Sequence, residues 1–399
     1  MIPGLRQQYN AQFNKERYEA FLHTVNTEFG SGPTFRVAET PVFISRDLKD
    51  KLLRAVEDIT AVITAPGFIA ASAAAIPPDL HVPGEPDRSH FIQLDFGICS
   101  DASGELKPML IELQGFPSLY AYQHMLALAY RKHFDIPADF HHLFGGLDHD
   151  GYIDILRQVI VGDEDPASTV LLEIEPEKQN TNIDFWGTRQ YLGTPVVCLS
   201  QVERRGDRLF YKNDKGVSVP IRRLYNRIIF DDMDKHADLP RQWNMTEPVD
   251  VQWTGHPNWF FRISKYTLPS LKSDFVPETH FVHQLPAIPD DLENWVLKPL
   301  FSFSGMGVKV DVTREDITSL AHPDQYILQR KVHYAPVIQT ANPEDPAKCE
   351  IRMMLVWHER WPRPRLVNNL VRMSKGAMVG VRYNMGKDWV GSSAAFFEP

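Results

Sequence analysis

Residues 90–114 read HFIQLDFGICSDASGELKPMLIELQ. Apolar residues alternate with polar or small ones at the start of this stretch, and a second apolar run ends it. The sequence DASGE between the two runs is typical of a turn. The pattern therefore predicts a β-hairpin with strands over 90–98 and 108–114.

The predicted hairpin carries two acids and an amide. Glu112 and Gln114 are two positions apart, so their side chains share one face of the second strand. Pairing of the two strands can bring Asp95 beside Glu112. Two carboxylates and an amide oxygen suit Mg²⁺, which takes few protein ligands and keeps phosphate oxygens in its shell. The alternative is that both acids lie exposed on a surface hairpin, although the Leu, Phe and Ile residues around them argue against it.

A lysine interrupts a second apolar strand, predicted over residues 294–300, and lysine is rarely buried unless it is paired. A loop rich in serine and glycine follows and contains Ser302, Ser304, Gly305 and Gly307. Glycine lets backbone N–H groups approach an anion closely. A further strand is predicted over residues 308–312. Lys298 and this loop are therefore candidates for covering the phosphates of a nucleotide, and the alternative is a hairpin lysine that reaches out to water.

Two arginines lie on apolar strands late in the chain, Arg352 within 349–357 and Arg372 within 365–373. An arginine on a core strand is either ion-paired or directed at an anion in a cleft. Glu350 and Arg352 share a face, so an internal salt bridge between them is the alternative to an anion site.

Helices and strands alternate in the middle of the chain. Strands are predicted over 168–174 and 196–199, with a helix over 182–192 between them, and this βαβ order implies a small parallel sheet. Earlier in the chain, apolar spacing predicts helices over 6–29, 48–63 and 118–134.

The composition excludes several classes of protein. The chain has 399 residues with a formal net charge of −9, which argues against a nucleic-acid binder. Its three cysteines are too few and too far apart for a disulfide framework or a metal knuckle, and they fit a reducing compartment. No secretory signal pattern and no membrane span are apparent, so we expect a cytoplasmic protein with no membrane partner. The oligomeric state stays open.

These features, in this order, resemble the ATP-grasp superfamily, and within it the permuted synthetase domain of glutathionylspermidine synthase and its relatives. The resemblance covers about residues 90–375 and depends on the number and order of short motifs. The matching motifs are Leu94-Asp-Phe96, Ile111-Glu-Leu-Gln114, Arg222-Arg-Leu-Tyr225, Pro257-Asn-Trp259 with Lys265, Val296-Leu-Lys-Pro299, Ser304 to Gly307, and Ile327-Leu-Gln329.

The resemblance implies an α/β (α+β) fold in which two antiparallel-sheet subdomains clasp ATP beside a small Rossmann-like parallel segment. It divides the chain into an N-terminal helical region (1–150) whose hairpin (90–115) joins the ATP-grasp sheet, a Rossmann-like domain (151–250) and a nucleotide-binding region (251–399). We expect the hairpin to share a sheet with the strands near 349–373.

The resemblance also assigns roles to residues. Asp95, Glu112 and Gln114 would hold Mg²⁺. Lys265 and Lys298 would hold the α- and β-phosphates. The remaining nucleotide contacts would come from Ser304, Gly305, Gly307, Gln329, Arg330 and Val332.

The activity implied is that of an ATP-dependent ligase, which joins a small-molecule or peptide carboxylate to an amine or thiol through an acyl phosphate. The family has an arginine two residues before the metal aspartate, and this chain has Gln93 there. Arg352 or Arg372 would supply the missing charge as catalytic residues. The alternatives are a non-catalytic or regulatory ATP-binding protein, favoured by Gln93, and a phosphotransferase that uses the same clamp.

Overall fold

The computed structural model describes residues 1–101, 103–302, 305–376, 379 and 384–399. Within these ranges the chain forms a mixed α/β fold with antiparallel sheets of five, three and three strands, a parallel sheet of four and a parallel pair. The predicted α/β fold, with two antiparallel sheets and a small parallel one, is confirmed. Among the described residues no individual helix is both long and apolar enough to cross a bilayer; one bent pair, Arg46–Ile63 with Phe68–Ala75, meets the test in combination, by length and composition alone.

The strands, in chain order, are β1 (Val42–Ile44), β2 (Phe91–Ser100), β3 (Leu106–Gln114), β4 (Thr169–Glu173), β5 (Val196–Cys198), β6 (Glu203–Arg205), β7 (Arg208–Lys212), β8 (Ser218–Ile221), β9 (Arg223–Asn226), β10 (Gln252–Thr254), β11 (Thr279–Phe281), β12 (Trp295–Pro299), β13 (Tyr326–Arg330), β14 (Lys348–Val356), β15 (Arg365–Ser374), β16 (Gly391–Ser393) and β17 (Ala395–Phe397).

The α-helices are α1 (Pro3–Gln12), α2 (Lys15–Thr27), α3 (Arg46–Ile63), α4 (Phe68–Ala71), α5 (Tyr120–His133), α6 (His149–Ile160), α7 (Asn182–Leu192), α8 (Phe230–Lys235), α9 (Asn258–Arg262) and α10 (Arg314–Thr318). The helix predicted over 6–29 is two helices, because the chain is extended at Phe13 and Asn14, and Asn14 caps α2 by accepting a hydrogen bond from the Arg17 N–H. The helix predicted over 182–192 has the observed bounds of α7.

The five-stranded sheet has the order β16-β15-β14-β2-β3 and is antiparallel throughout. The predicted pairing of the hairpin with the strands near 349–373 is confirmed, since β2 pairs with β14 along its length. One face of this sheet is apolar and packs with α3 and α6 in the largest hydrophobic cluster of the chain. Burial of these apolar residues fixes the sheet and leaves its other face free for polar side chains.

The second antiparallel sheet has the order β11-β13-β12 and has a small hydrophobic cluster of its own. The parallel sheet has the order β10-β9-β4-β5 and confirms the predicted βαβ unit, with α7 connecting β4 to β5. The strands β6, β7 and β8 form a separate antiparallel sheet. The boundaries of the three predicted domains stay predictions.

Candidate functional site

The register of the five-stranded sheet places the predicted acids and arginines on one face. Asp95 lies directly opposite Glu112 of β3 and Arg352 of β14. Arg372 of β15 lies opposite Glu350, and Glu350 is two positions from Arg352 on the same strand. Side chains of directly opposed residues point to the same side of a sheet. All five groups therefore meet in one polar patch, which we call the carboxylate–arginine cluster.

Asp95 is the centre of this cluster and is only 1% exposed. Arg352 binds it through two parallel contacts, Nε to Oδ1 at 2.5 Å and Nη2 to Oδ2 at 2.7 Å. Arg372 adds a contact from Nη2 to Oδ2 at 2.5 Å. Burial by itself would raise the pKa of Asp95, but the two guanidinium groups outweigh it and lower the pKa to about 2.

The internal salt bridge between Glu350 and Arg352, considered as an alternative, does not form. Arg352 pairs with Asp95, and Glu350 pairs instead with Arg372 across the strands, at 2.9 Å. The third contact of Arg352 is with Gln93, whose Oε1 accepts a hydrogen bond from Nη1 at 2.7 Å. The glutamine at position 93 therefore orients Arg352.

Glu350, a member of the cluster, and Tyr334, which contacts it, were not predicted as site residues. The Tyr334 hydroxyl donates a hydrogen bond to Glu350. The ring of Tyr334 reaches this position because residue 97 is glycine: a Cβ atom there would lie 2.7 Å from Cε1 of the ring. Burial raises the pKa of Glu350, although Arg372 opposes the effect. An acid two positions before an arginine on an apolar strand was the only sequence signal for Glu350.

Lys298 and Lys265 approach the cluster from outside the five-stranded sheet. The register shifts between Asp95 and Phe96, so Ile111 is an extra residue in β3 and its carbonyl is turned out of the ladder. This carbonyl accepts a hydrogen bond from the Lys298 Nζ at 3.0 Å. Lys265 Nζ lies 3.8 Å from the Glu112 carboxylate and donates to the Ser302 carbonyl at 2.9 Å.

Lys298 does not extend to water, since it is only 7% exposed. Gln329 Oε1 accepts its second hydrogen bond at 2.6 Å, and the Gln329 amide is held in turn by Thr279. Burial lowers the pKa of Lys298 to about 8, while Glu112 opposes that shift. The lysine is therefore a buried cation with few partners, placed between the two antiparallel sheets.

The remaining predicted nucleotide contacts are not all brought together. Gln329 lies beside Lys298, but the side chain of Arg330 lies on the opposite face of β13, over the Trp295 ring and paired with Asp291 at 2.5 Å. Val332 lies half-buried just after β13, in the segment that leads to Tyr334. Its backbone connects the two sheets, and its side chain has no polar contact to offer.

The serine-glycine loop is placed in part. Gly305 and Gly307 have φ of 72° and 71°, a left-handed conformation that glycine adopts without strain. Ser304 lies outside the described residues. Ser302 is described, and its Oγ is buried without a hydrogen-bond partner among the residues that the structure describes. The strand predicted over 308–312 is wrong, because only Lys309 bridges to the neighbouring strand, at Leu297.

The predicted magnesium ligands do not form a metal site in this arrangement. Both oxygens of Asp95 accept from guanidinium groups, and Glu112 accepts a hydrogen bond from the Gln114 side chain at 3.0 Å. Across the described part of the chain, no group of three or more His, Cys, Asp or Glu side chains is placed to hold a metal ion. The residues therefore do not fit Mg²⁺ as they stand.

A cavity of about 500 Å³ lies elsewhere, between the parallel sheet and the loop after β14. Arg223, Trp253 and Glu359 line it. Arg223 donates to Glu359 at 3.0 Å, and the buried His90 ring bonds to the same oxygen at 2.9 Å. These residues are far apart in sequence, and no local pattern pointed to them.

Comparison with solved structures shows likenesses in fold. The chain resembles a glutathione synthetase-like effector (GSS30) from Globodera pallida, solved in its apo form, with a TM-score of 0.58 over 100% of this chain and 98% of that one. The fold is glutathione synthetase-like. The two sequences are 10% identical, so the likeness concerns the fold alone. No family model matches the chain, and no curated protein matches it in sequence.

Proposed function

We propose that the protein is an ATP-dependent ligase of the ATP-grasp type, which activates a carboxylate as an acyl phosphate and transfers the acyl group to an amine or a thiol. The observation that carries the proposal is the meeting of four basic groups between two antiparallel sheets. Lys298 and Lys265 reach the five-stranded sheet at Ile111 and Glu112, beside Arg352 and Arg372. The glutathione synthetase-like fold supports the same proposal.

The chemistry needs little from the protein beyond charge and position. A carboxylate oxygen of the substrate attacks the γ-phosphorus, the bond to the leaving oxygen of ADP breaks, and the acyl phosphate forms. An amine or thiol then attacks the acyl carbon and releases phosphate. Negative charge spreads over the transferring phosphoryl group, and positioned cations stabilise it. Lys265, Lys298, Arg352 and Arg372 are the groups we assign to this role, and no step is assigned to a metal ion.

The test is trapping of the acyl phosphate with hydroxylamine. The protein is incubated with ATP, hydroxylamine and a panel of small carboxylates, and ADP and hydroxamate are measured, with and without Mg²⁺. A ligase forms hydroxamate together with ADP. Lys265→Met should remove both products, whereas Lys272→Met, an exposed lysine nearby, should leave them unchanged. ADP release without hydroxamate from any acid would contradict ligase activity.

The second candidate is a protein that binds the nucleotide without turning it over. The observation that favours it is the complete engagement of Asp95 by two arginines, together with Gln93 at the family's arginine position. ATP binding in a direct titration, combined with no ADP release from any acid in the panel, would favour this candidate over the ligase.

A further inference from the structure

We call the site formed by the carboxylate–arginine cluster, Lys265 and Lys298 the cleft. We infer that the cleft binds a polyphosphate chain without a divalent cation, because the guanidinium groups of Arg352 and Arg372 take the place on Asp95 that a metal would need. This inference rests on the proposed nucleotide function and gives its binding site a particular charge arrangement. It makes Asp95 a counter-ion that positions two arginines.

Both oxygens of Asp95 already accept from a guanidinium group. Arg352 engages both oxygens in the fork geometry that makes arginine–carboxylate pairs strong, at 2.5 and 2.7 Å. Arg372 adds a further contact to Oδ2 at 2.5 Å. A divalent ion would have to displace a guanidinium from a carboxylate that is 1% exposed, and would then lie beside that displaced positive charge.

The other two carboxylates are also engaged. Glu350 is held by Arg372 at 2.9 Å and by the Tyr334 hydroxyl. Glu112 accepts from Gln114 at 3.0 Å and lies 3.8 Å from Lys265. Mg²⁺ demands near-ideal octahedral geometry from oxygen ligands, and three carboxylates that already pair with arginine or lysine side chains do not provide it.

The cleft does offer unused donors to an anion. The Nε of Arg372 and the Oγ of Ser302 are buried without a hydrogen-bond partner among the described residues. Lys265 Nζ already binds the carbonyl of Ser302, so this lysine and this serine lie together. A buried donor left unpaired costs free energy that an incoming phosphate oxygen would recover.

The charges of the cleft support the same conclusion. The four basic groups, Lys265, Lys298, Arg352 and Arg372, face three acids, Asp95, Glu112 and Glu350. The protein therefore brings an excess of fixed positive charge to the phosphates. Fixed cations in a site of low dielectric constant are stronger partners for phosphate than the same groups in water.

The effect of Asp95→Asn separates this arrangement from a metal site. If Asp95 only balances the arginines, its neutralisation frees positive charge, and polyphosphate affinity rises about tenfold. If Asp95 is a metal ligand, the same change lowers affinity and does so only when Mg²⁺ is present. Asp101→Asn, in the exposed turn of the same hairpin, is the matched control.

The experiment is calorimetric titration of the full chain with ATP and with inorganic tripolyphosphate, each in EDTA and in excess Mg²⁺. We expect the dissociation constant of each ligand in EDTA to lie within about threefold of its value in Mg²⁺. The wild-type comparison needs no variant, so it decides the matter even if Asp95→Asn does not fold. Arg372→Gln, which changes a side chain that is 36% exposed, should weaken both ligands in EDTA.

The outcomes distinguish this inference from the proposed function. If ATP binds about tenfold or more tightly in Mg²⁺ than in EDTA, the inference is overturned and the nucleotide function stays in place. Tripolyphosphate binding in EDTA without any ATP binding supports the inference and overturns the nucleotide function. Binding of neither ligand in either buffer overturns both.

Discussion

Asp95 and Asp184 are buried aspartates that pair with arginine, and they differ in what else holds them. Asp95 accepts hydrogen bonds from the guanidinium groups of Arg352 and Arg372. Asp184, on α7, accepts one guanidinium contact from Arg227 at 2.6 Å and three backbone N–H groups, from Leu119, Ala121 and Tyr122. Those N–H groups begin α5, where a helix has donors without internal partners.

The difference separates a structural carboxylate from a candidate functional one. Backbone donors cannot leave Asp184 unless the chain itself moves, and Leu119 is held by this contact in a left-handed conformation, with φ of 64°. The partners of Asp95 are long side chains that an anion can recruit. The identity of the partners therefore tells more about the role of a buried acid than its burial does.

The largest effect is expected from Asp184→Ala. This change leaves Arg227 buried without its anion and removes the cap of α5, so the free energy of unfolding should fall by about 3–5 kcal/mol. Urea denaturation measures it. Asp135→Ala, an exposed control, should change stability by less than about 1 kcal/mol. A stable Asp184→Ala protein that no longer binds ATP would reverse the distinction between the two aspartates.

The next effect in size concerns Lys298. Lys298→Met keeps the apolar stem and removes a buried charge, so the free energy of unfolding should stay the same or rise. ATP affinity should fall roughly 10- to 100-fold, since a charged hydrogen bond to phosphate contributes about 1.5–3 kcal/mol. Calorimetry and a thermal melt test both parts. The control is Lys309→Met, since Lys309 is exposed and already paired with Asp316. If Lys298→Met unfolds the protein, Lys298 has a structural role.

A smaller effect should appear in the pH dependence of binding. Burial lowers the pKa of Lys298 to about 8, so the free protein loses this charge as the pH rises through 8. Bound phosphate favours the charged lysine, and ATP affinity should therefore fall above pH 8, by at most about tenfold per unit of pH. Lys298→Arg keeps its charge and should flatten the curve.

The lowered pKa of Lys298 also affects stability. The free energy of unfolding changes with pH in the opposite direction to ATP affinity. Between about pH 8 and the ordinary lysine value of 10.5, the unfolded chain binds more protons than the folded one at this position. The contribution of Lys298 to the free energy of unfolding therefore becomes less unfavourable as the pH rises through this window. For the binding measurement, a wild-type ATP affinity that stays constant as the pH rises through 8 and above would exclude Lys298 as a contact to the phosphates.

The smallest effect is expected from Arg330→Gln. The side chain of Arg330 lies on the face of β13 away from Lys298 and pairs with Asp291 near the surface. Loss of such a pair should cost less than about 1 kcal/mol, and ATP affinity should change by less than about twofold. A large loss of affinity in the titration would show that the opposite face of β13 also contacts the nucleotide.

Local sequence patterns predicted most of the elements and the candidate residues on the strands. The hairpin, the strands β14 and β15 and the helix α7 were predicted close to their observed bounds, because alternation and helical spacing record which residues are buried. The acids and arginines could be recognised as candidates because charged residues are rarely buried inside apolar strands unless they are paired. Asp184 and the residues around the cavity gave no such signal, because their partners lie far away in the chain.

The amino-acid sequence identifies the kinds of group that this protein brings to its strands: two carboxylates on an early hairpin, a lysine on a later strand and two arginines near the end. Which of these groups meet depends on how the strands pair in the folded protein. Arg352 pairs with Asp95 rather than with the nearby Glu350, and an extra residue at Ile111 turns a carbonyl toward Lys298. Both outcomes depend on the register between strands that are distant in sequence, and register is set by packing of the whole sheet and not by any local pattern.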